Sequence, residues 1–273
     1  MKIVFNSPLA RSGSTLLQNI LAQNPRFYCT PTSGLFKILW QARGVFSKEP
    51  EFLAQDPETM KKAFLGFCAG GLENYFSAIT DRPVCLDTAR GWIGEYDWLE
   101  EFYPKPKILV PIRDLRAVLA SMEKRWHKFP HLHAEEYGPD VVSAQMATIE
   151  KRLGHWLNSP IVGIFAARLL GAIERGHGRH LHIVRFEDLT AQPEETLNKI
   201  YDYIEEPRFK HDFSHVQQVT QENDSYYPIY SDHTIRPEVR PVPLDYHDTL
   251  GKTISNGIKQ SNEKFFSTFY PGR

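Results

Sequence analysis

The segment Lys2-Ile3-Val4-Phe5-Asn6-Ser7-Pro8-Leu9-Ala10-Arg11-Ser12-Gly13-Ser14-Thr15-Leu16-Leu17-Gln18-Asn19-Ile20-Leu21 decides how the chain is read. Residues 2–7 read as an apolar strand, 8–13 as a turn and 14–23 as a helix. A strand that turns directly into a helix aims the unpaired N–H groups of the first helical turn at one point, where the helix dipole adds partial positive charge. Such a point suits a phosphate or a sulfate. Arg11 adds a full charge and a planar donor fork, and Ser12, Ser14 and Thr15 add hydroxyl donors. The loop lacks the Gly-Lys-Ser/Thr of a nucleoside-triphosphate site, because Ser14 follows Gly13 and no lysine is there to reach β/γ-phosphates. Taken alone, the segment reads equally well as a polar turn with a serine cap.

A second element shifts that balance. Lys107-Ile108-Leu109-Val110-Pro111-Ile112-Arg113 is another apolar strand ending in arginine, and Asp114 follows as a helix cap. Leu115, Val118, Leu119 and Met122 recur at helical spacing and form the buried stripe. Ser121 lies roughly 110° from the centre of that stripe at 100° per residue, which turns it toward a cleft. Arg113 and Ser121 together suit a second phosphate beside the first loop. A lone strand-end arginine and a chance serine are the plainer alternative.

The 273 residues allow one large domain, and 41% hydrophobic with 24% charged residues is ordinary for a packed globular chain. Lys plus Arg is 32 against 33 acidic residues, a net charge of −1, so nothing global favours nucleic acid or an anionic membrane. Three cysteines, Cys29, Cys68 and Cys85, form no close pair and point to reduced thiols. No apolar run approaches the ~20 residues that cross a bilayer, and the start lacks a long apolar stretch, so a cytoplasmic protein without leader or anchor is expected. Strands are expected at 2–7, 83–87, 107–112 and 181–186. Helices are expected at 14–23, 34–43, 57–79, 94–102, 114–126, 140–157, 160–176, 193–204 and 247–268. This alternation predicts an α/β fold, a parallel sheet with helices on both faces. Residues 205–246, with five prolines, read as a long ordered loop inside a single domain spanning 1–273.

At this point the chain resembles the sulfotransferases that use 3′-phosphoadenosine-5′-phosphosulfate (PAPS). Arg11-Ser12-Gly13-Ser14-Thr15 looks like the family's 5′-phosphosulfate loop, and Arg113 with Ser121 eight residues later looks like its 3′-phosphate motif. Ile183-Val184-Arg185-Phe186-Glu187-Asp188-Leu189, with Pro193 and Leu197, is similar to the family's later strand, acidic turn and helix. The three matches come in the family's order. The Arg-Ser-Gly form is nearer the tyrosylprotein, carbohydrate and bacterial branches than the cytosolic phenol enzymes. The first two of those branches are usually Golgi membrane proteins, a topology the start of this chain does not suggest. The resemblance implies a three-layer, P-loop-like nucleotide-binding architecture and transfer of a sulfuryl group from PAPS to a hydroxyl. It implies Arg11 as the catalytic cation, Ser12 to Leu16 around the 5′ end, and a late loop closing over the nucleotide. In that loop Asp232-His233-Thr234-Ile235-Arg236 offers Arg236 to the 3′-phosphate, and Tyr226, Tyr227 and Tyr230 offer rings to adenine or acceptor. Sulfuryl transfer demands no metal, and none is expected. Phe186 stands where relatives often carry a tyrosine whose hydroxyl helps hold the nucleotide; phenylalanine keeps the packing surface and loses that bond.

The general base is not carried over. Tyrosylprotein enzymes place a glutamate after the first helix, whereas Tyr28-Cys29-Thr30-Pro31-Thr32-Ser33-Gly34 holds no carboxylate. Asp87, His127, His131 and His133 are the candidates, and Asp87 leads because it ends a strand and so points toward the crevice. Arg90 stands where many relatives have a Lys-Thr-Pro string and suits sulfate oxygens; an Asp87–Arg90 ion pair is the plainer alternative. A P-loop kinase or NTPase and a non-catalytic nucleotide-binding protein are the competing functions. The acceptor, whether a peptide tyrosine, carbohydrate, lipid or small molecule, is not specified by these residues, nor is the oligomeric state.

Overall fold

Five short parallel strands run through the centre of the computed structural model, which describes residues 1–129, 138–226 and 233–272. They are β1 (Lys2–Asn6), β2 (Phe27–Cys29), β3 (Val84–Thr88), β4 (Lys107–Ile112) and β5 (Leu181–Arg185), in the order β2-β3-β1-β4-β5. β1 is buried on both faces, as parallel strands under two helical layers must be. Alternation along it divides the core. Ile3 and Phe5 face one cluster with Trp92, Leu99, Val118, Trp156 and Phe165. Val4 faces the other with Leu17, Ile20, Leu86, Leu197 and Tyr201. Helix α1 (Ser14–Leu21) and the helix Pro193–Ile204 cover the second face. Helices α2 (Leu35–Phe46), α3 (Pro50–Leu53), α4 (Pro57–Ser77), α5 (Tyr96–Phe102) and α6 (Leu115–Lys128) follow in chain order, and α2, α4, α5 and α6 contribute to the first. The expected α/β sheet flanked by helices is the fold.

Boundaries differ from expectation where local geometry overrides periodicity. β2 is an unexpected edge strand of three residues, too short to show a period of two. The expected helix 247–268 is three pieces, Tyr246–Leu250, Lys252–Ser261 and Glu263–Phe269. Gly251, at φ +76°, makes the first break, a conformation closed to most side chains. The expected helix 140–157 likewise divides into Pro139–Gln145 and Ile149–Leu157.

The stretch after Ile204 folds back on α1. Its two limbs meet where Val216 N–H donates to Pro237 and Val239 N–H donates to Phe213 (2.7 and 2.8 Å). The Gln218 amide joins them, donating to the carbonyl of His233 (2.9 Å) and accepting from Ile235 N–H (3.0 Å). Asn19 of α1 holds the whole. Its amide donates to Thr15 O (2.8 Å) and Thr220 Oγ1 (2.7 Å), and its oxygen accepts from Val219 and Thr220 N–H (2.6 and 3.0 Å). Every hydrogen-bonding position of this buried side chain is filled. Among the described residues no helix is long and apolar enough to cross a membrane.

Asn19→Ala strips partners from three donors and acceptors of the strap at once. It should lower unfolding stability by about 2–3 kcal/mol. In hydrogen-exchange measurements it should release the Val219 and Thr220 amides while leaving β1 and β4 protected.

Candidate functional site

The loop after β1 stays paired to β4 before it turns. Ser7 N–H donates to Leu109 O and Leu9 N–H to Pro111 O, both at 2.9 Å. On the other side Ala89 N–H donates to Asn6 O at 3.0 Å. The loop therefore leaves the sheet at its centre, at the carboxyl ends of the strands, between β3 and β4. It then passes twice through left-handed backbone, at Arg11 (φ +58°) and Gly13 (φ +78°), and enters α1. No side chain caps this helix; Gly13 sits at the cap position. No backbone acceptor takes the N–H groups of Ser14, Thr15 or Leu16 among the described residues, so the first turn presents the free donors that an anion requires.

Ser12 is not a ligand-facing donor here. It is 1% exposed, and its hydroxyl and N–H both turn inward to Leu9 O (2.6 and 3.3 Å). It shapes the loop. Arg11 swings the other way, its Nε donating to Ser121 Oγ of α6 at 3.3 Å. Arg113, the first residue past β4, donates from Nη1 to Arg11 O at 3.4 Å. The two segments read as separate anion sites thus meet in direct contact. Arg113 Nε is buried and, among the described residues, has no hydrogen-bond partner. Burial pushes this guanidinium below the usual arginine range; Glu187 leads the nearby groups that pull it back. Glu187 itself is engaged, accepting from Asp114 N–H (3.1 Å) and from Tyr270 O–H (3.0 Å).

A family model described as the sulfotransferase family matches residues 4–211, which include this loop, Arg113, Ser121 and the β5 turn. The chain belongs to the sulfotransferase family. It is 26% identical over 219 residues to the nodulation protein NoeE of Sinorhizobium fredii (strain NBRC 101917 / NGR234), covering 72% of this chain and 48% of that protein. The chain therefore spans about half the length of that relative. The sulfotransferase domain from the curacin biosynthetic pathway superposes with a TM-score of 0.61 at 14% identity, covering 96% of this chain and 98% of that one. Sulfotransferase STF9 from Mycobacterium avium gives 0.54 at 14% identity, covering 98% and 77%. At such identity these two likenesses show the sulfotransferase fold.

The remaining site candidates of this sulfotransferase fold lie around that contact or apart from it. Asp87 is fully buried in β3, opposite Phe5, and its Oδ2 accepts from Trp92 Nε1 at 2.6 Å. Burial pushes its carboxyl up to about 6, against the Ser33 hydroxyl and the Trp92 indole, which favour the charge. Arg90 is exposed, and its carbonyl accepts from Ser7 Oγ at 2.9 Å. His127 pairs with Glu123 (2.9 Å), a buried carboxylate also gripped by Arg152; Glu123 stands roughly 200° around α6 from Ser121. Arg236 is exposed on the strap limb next to Ile235. His131, His133, Tyr227, Tyr230 and Asp232 lie outside the described residues. Asn19 and Trp92 escaped the sequence reading; for Asn19 the available signal was the polar pair Gln18-Asn19 set between the apolar Leu16-Leu17 and Ile20-Leu21.

The Asp87 carboxyl, raised from 3.8 to about 6, binds its proton more tightly folded than unfolded. Its contribution to stability is complete below the unfolded value and is lost as pH rises through the folded one. Asp87→Asn keeps an acceptor for Trp92 and cannot ionise. In urea unfolding, the stability of this variant relative to wild type should rise by up to about 3 kcal/mol between pH 4 and pH 7.

Proposed function

We propose that the chain moves a sulfuryl group from PAPS to a hydroxyl acceptor by in-line displacement, releasing adenosine 3′,5′-bisphosphate. One observation carries this reading: Arg11 and Arg113, from the ends of adjacent strands, meet in direct contact, with Ser121 on Arg11, and the buried Arg113 Nε has no hydrogen-bond partner among the described residues. The donor set fits a nucleotide charged at both ends. The free N–H groups of Ser14, Thr15 and Leu16, with the Ser14 and Thr15 hydroxyls, would hold the 5′ end, Gly13 letting the backbone approach and Ser12 bracing the turn. Arg113 and Ser121 would hold the 3′-phosphate, with Arg236 a second cation from the strap. When bound, PAPS supplies an activated sulfuryl group whose transfer leaves negative charge on the bridging oxygen.

Arg11 is the residue for that charge. A cation that meets charge as it develops lowers the barrier more than it strengthens binding. Asp87 is the proton acceptor in this reading, its carboxyl near 6 being suited to a base at neutral pH. It is fully buried and, among the described residues, its Oδ1 has no hydrogen-bond partner, so in this reading that oxygen is the one left to take the proton. Arg90, exposed and joined to the loop through its carbonyl and Ser7, would orient sulfate oxygens in this reading. Positioning and charge do most of the work, as in phosphoryl transfer.

Arg113→Ala should weaken adenosine 3′,5′-bisphosphate binding by about 1–3 kcal/mol in calorimetry, the loss of one charge-assisted contact. Arg11→Ala should lower turnover more than donor affinity, measured by label transfer from PAPS to a panel of phenol, sugar, lipid-alcohol and tyrosine-peptide acceptors. Unchanged bisphosphate binding in Arg113→Ala would remove the 3′-phosphate assignment. Magnesium-dependent ATP turnover with no sulfuryl transfer would replace the whole reading with a kinase or NTPase.

A further inference from the structure

Arg113 is poorly held by hydrogen bonds. Its one contact with the loop, Nη1 to Arg11 O, is long at 3.4 Å, and its Nε has no hydrogen-bond partner among the described residues. Glu187 attracts it, yet both Glu187 oxygens already accept from Asp114 and Tyr270. What fixes the guanidinium is a ring. Ile112 is paired with Arg185 across β4 and β5, so the next residues, Arg113 and Phe186, emerge side by side. The Arg113 guanidinium carbon lies 4.6 Å from the Phe186 ring centroid, well inside the range of a cation–π contact.

The same ring rests on the phosphosulfate loop. A Cβ built on Gly13 would lie 2.4 Å from Phe186 Cδ2 and 2.7 Å from Cε2. No real Cβ tolerates such distances, so Phe186 occupies the space that any other residue at 13 would need. One half-buried ring therefore touches the loop proposed for the 5′ end and the cation proposed for the 3′ end. Neither contact uses a ring hydroxyl.

We infer that Phe186 is a positioning residue: a wedge that seats Arg113 through its π face and fixes the cradle through its edge on Gly13, setting the spacing between the two anion sites. This inference rests on the reading of Arg113 as the 3′-phosphate ligand. It gives phenylalanine a role that tyrosine shares and that needs no hydrogen bond to nucleotide. It also explains why position 13 takes glycine on two counts, the left-handed backbone and the ring above it.

The test compares adenosine 3′,5′-bisphosphate with adenosine 5′-monophosphate by calorimetry, with thermal unfolding followed for every variant. Wild type should prefer the bisphosphate, and Arg113→Ala should lose that preference. Phe186→Leu should cut it about five- to thirtyfold, the worth of a partly desolvated cation–π contact. Phe186→Met, which fills similar space without a π face, should do the same, and Phe186→Tyr should retain the preference. Gly13→Ala should abolish bisphosphate binding in wild type and cost at least tenfold less in the Phe186→Leu background. General loosening of the fold would weaken both nucleotides together and leave their ratio unchanged. If Arg113→Ala loses the preference while folded Phe186→Leu or Phe186→Met keeps it, the wedge is wrong and the 3′-phosphate reading stands. If wild type shows no preference, that reading fails and the wedge with it.

Discussion

A guanidinium taken out of water and left short of partners is the constraint on which this site depends. Removing a full charge from water costs several kcal/mol unless other groups compensate. At Arg113 the compensation inside the protein is incomplete: a ring face, a long bond to a carbonyl, and a carboxylate whose oxygens are engaged elsewhere. Beside it stand Arg11, drawn toward Ser121, and a helix terminus with free N–H groups. Each of these fields is positive, and all three meet at one loop. The arrangement raises its own electrostatic energy, and in the proposed reading a doubly charged anion relieves it.

Strand order is what brings these groups together. β1 lies between β3 and β4, so its loop emerges with Asp87 on one side and Arg113 on the other. Continued pairing of Ser7 and Leu9 with β4 carries the loop toward Arg113 before it turns. A ligand crevice at the carboxyl ends of parallel strands follows from the fold; the bias of its positive charge toward β4 follows from those two hydrogen bonds. On the β3 side Asp87 is sealed from solvent, and burial raises its carboxyl although the Trp92 indole that donates to it favours the charge.

Periodicity made the long elements legible. β1, β4 and β5 declare themselves as short apolar runs, because burial on both faces of the sheet leaves no polar alternation, and the helices that pack on them declare themselves through 3.6-residue spacing. β2 did not, since three residues carry no period. The C-terminal helix read as continuous because its apolar spacing survives the break at Gly251, where only the backbone angle changes. At the site, Arg11, Arg113 and Ser121 were legible as residue types but not as neighbours: the Arg11–Ser121 contact joins positions 110 residues apart. The inward turn of Ser12 and the capture of Asp87 by Trp92 were invisible for a related reason. Each depends on how the backbone happens to aim one side chain, and composition does not record aim.

The family match ends at residue 211, a few residues into the stretch that follows Ile204 and before the limbs of this strap meet. The shared portion therefore builds the cradle, and a portion outside the match is docked onto it. The docking element is α1, whose first turn presents the free N–H groups. Hydrogen bonds run without interruption from Thr15 O to Asn19, from Asn19 to Val219 and Thr220, and from Thr220 O through Gln218 to Ile235, the neighbour of Arg236. The backbone beside Arg236, more than two hundred residues from the loop, is thus tied to the helix whose first turn carries the free N–H groups. The chain is anchored at its buried end, where Asn19 and Thr220 are out of water and losing either one strands the other's polar atoms. The strap's length and proline content leave it free to vary, while one asparagine, with all four of its hydrogen-bonding positions filled, fixes where it lands.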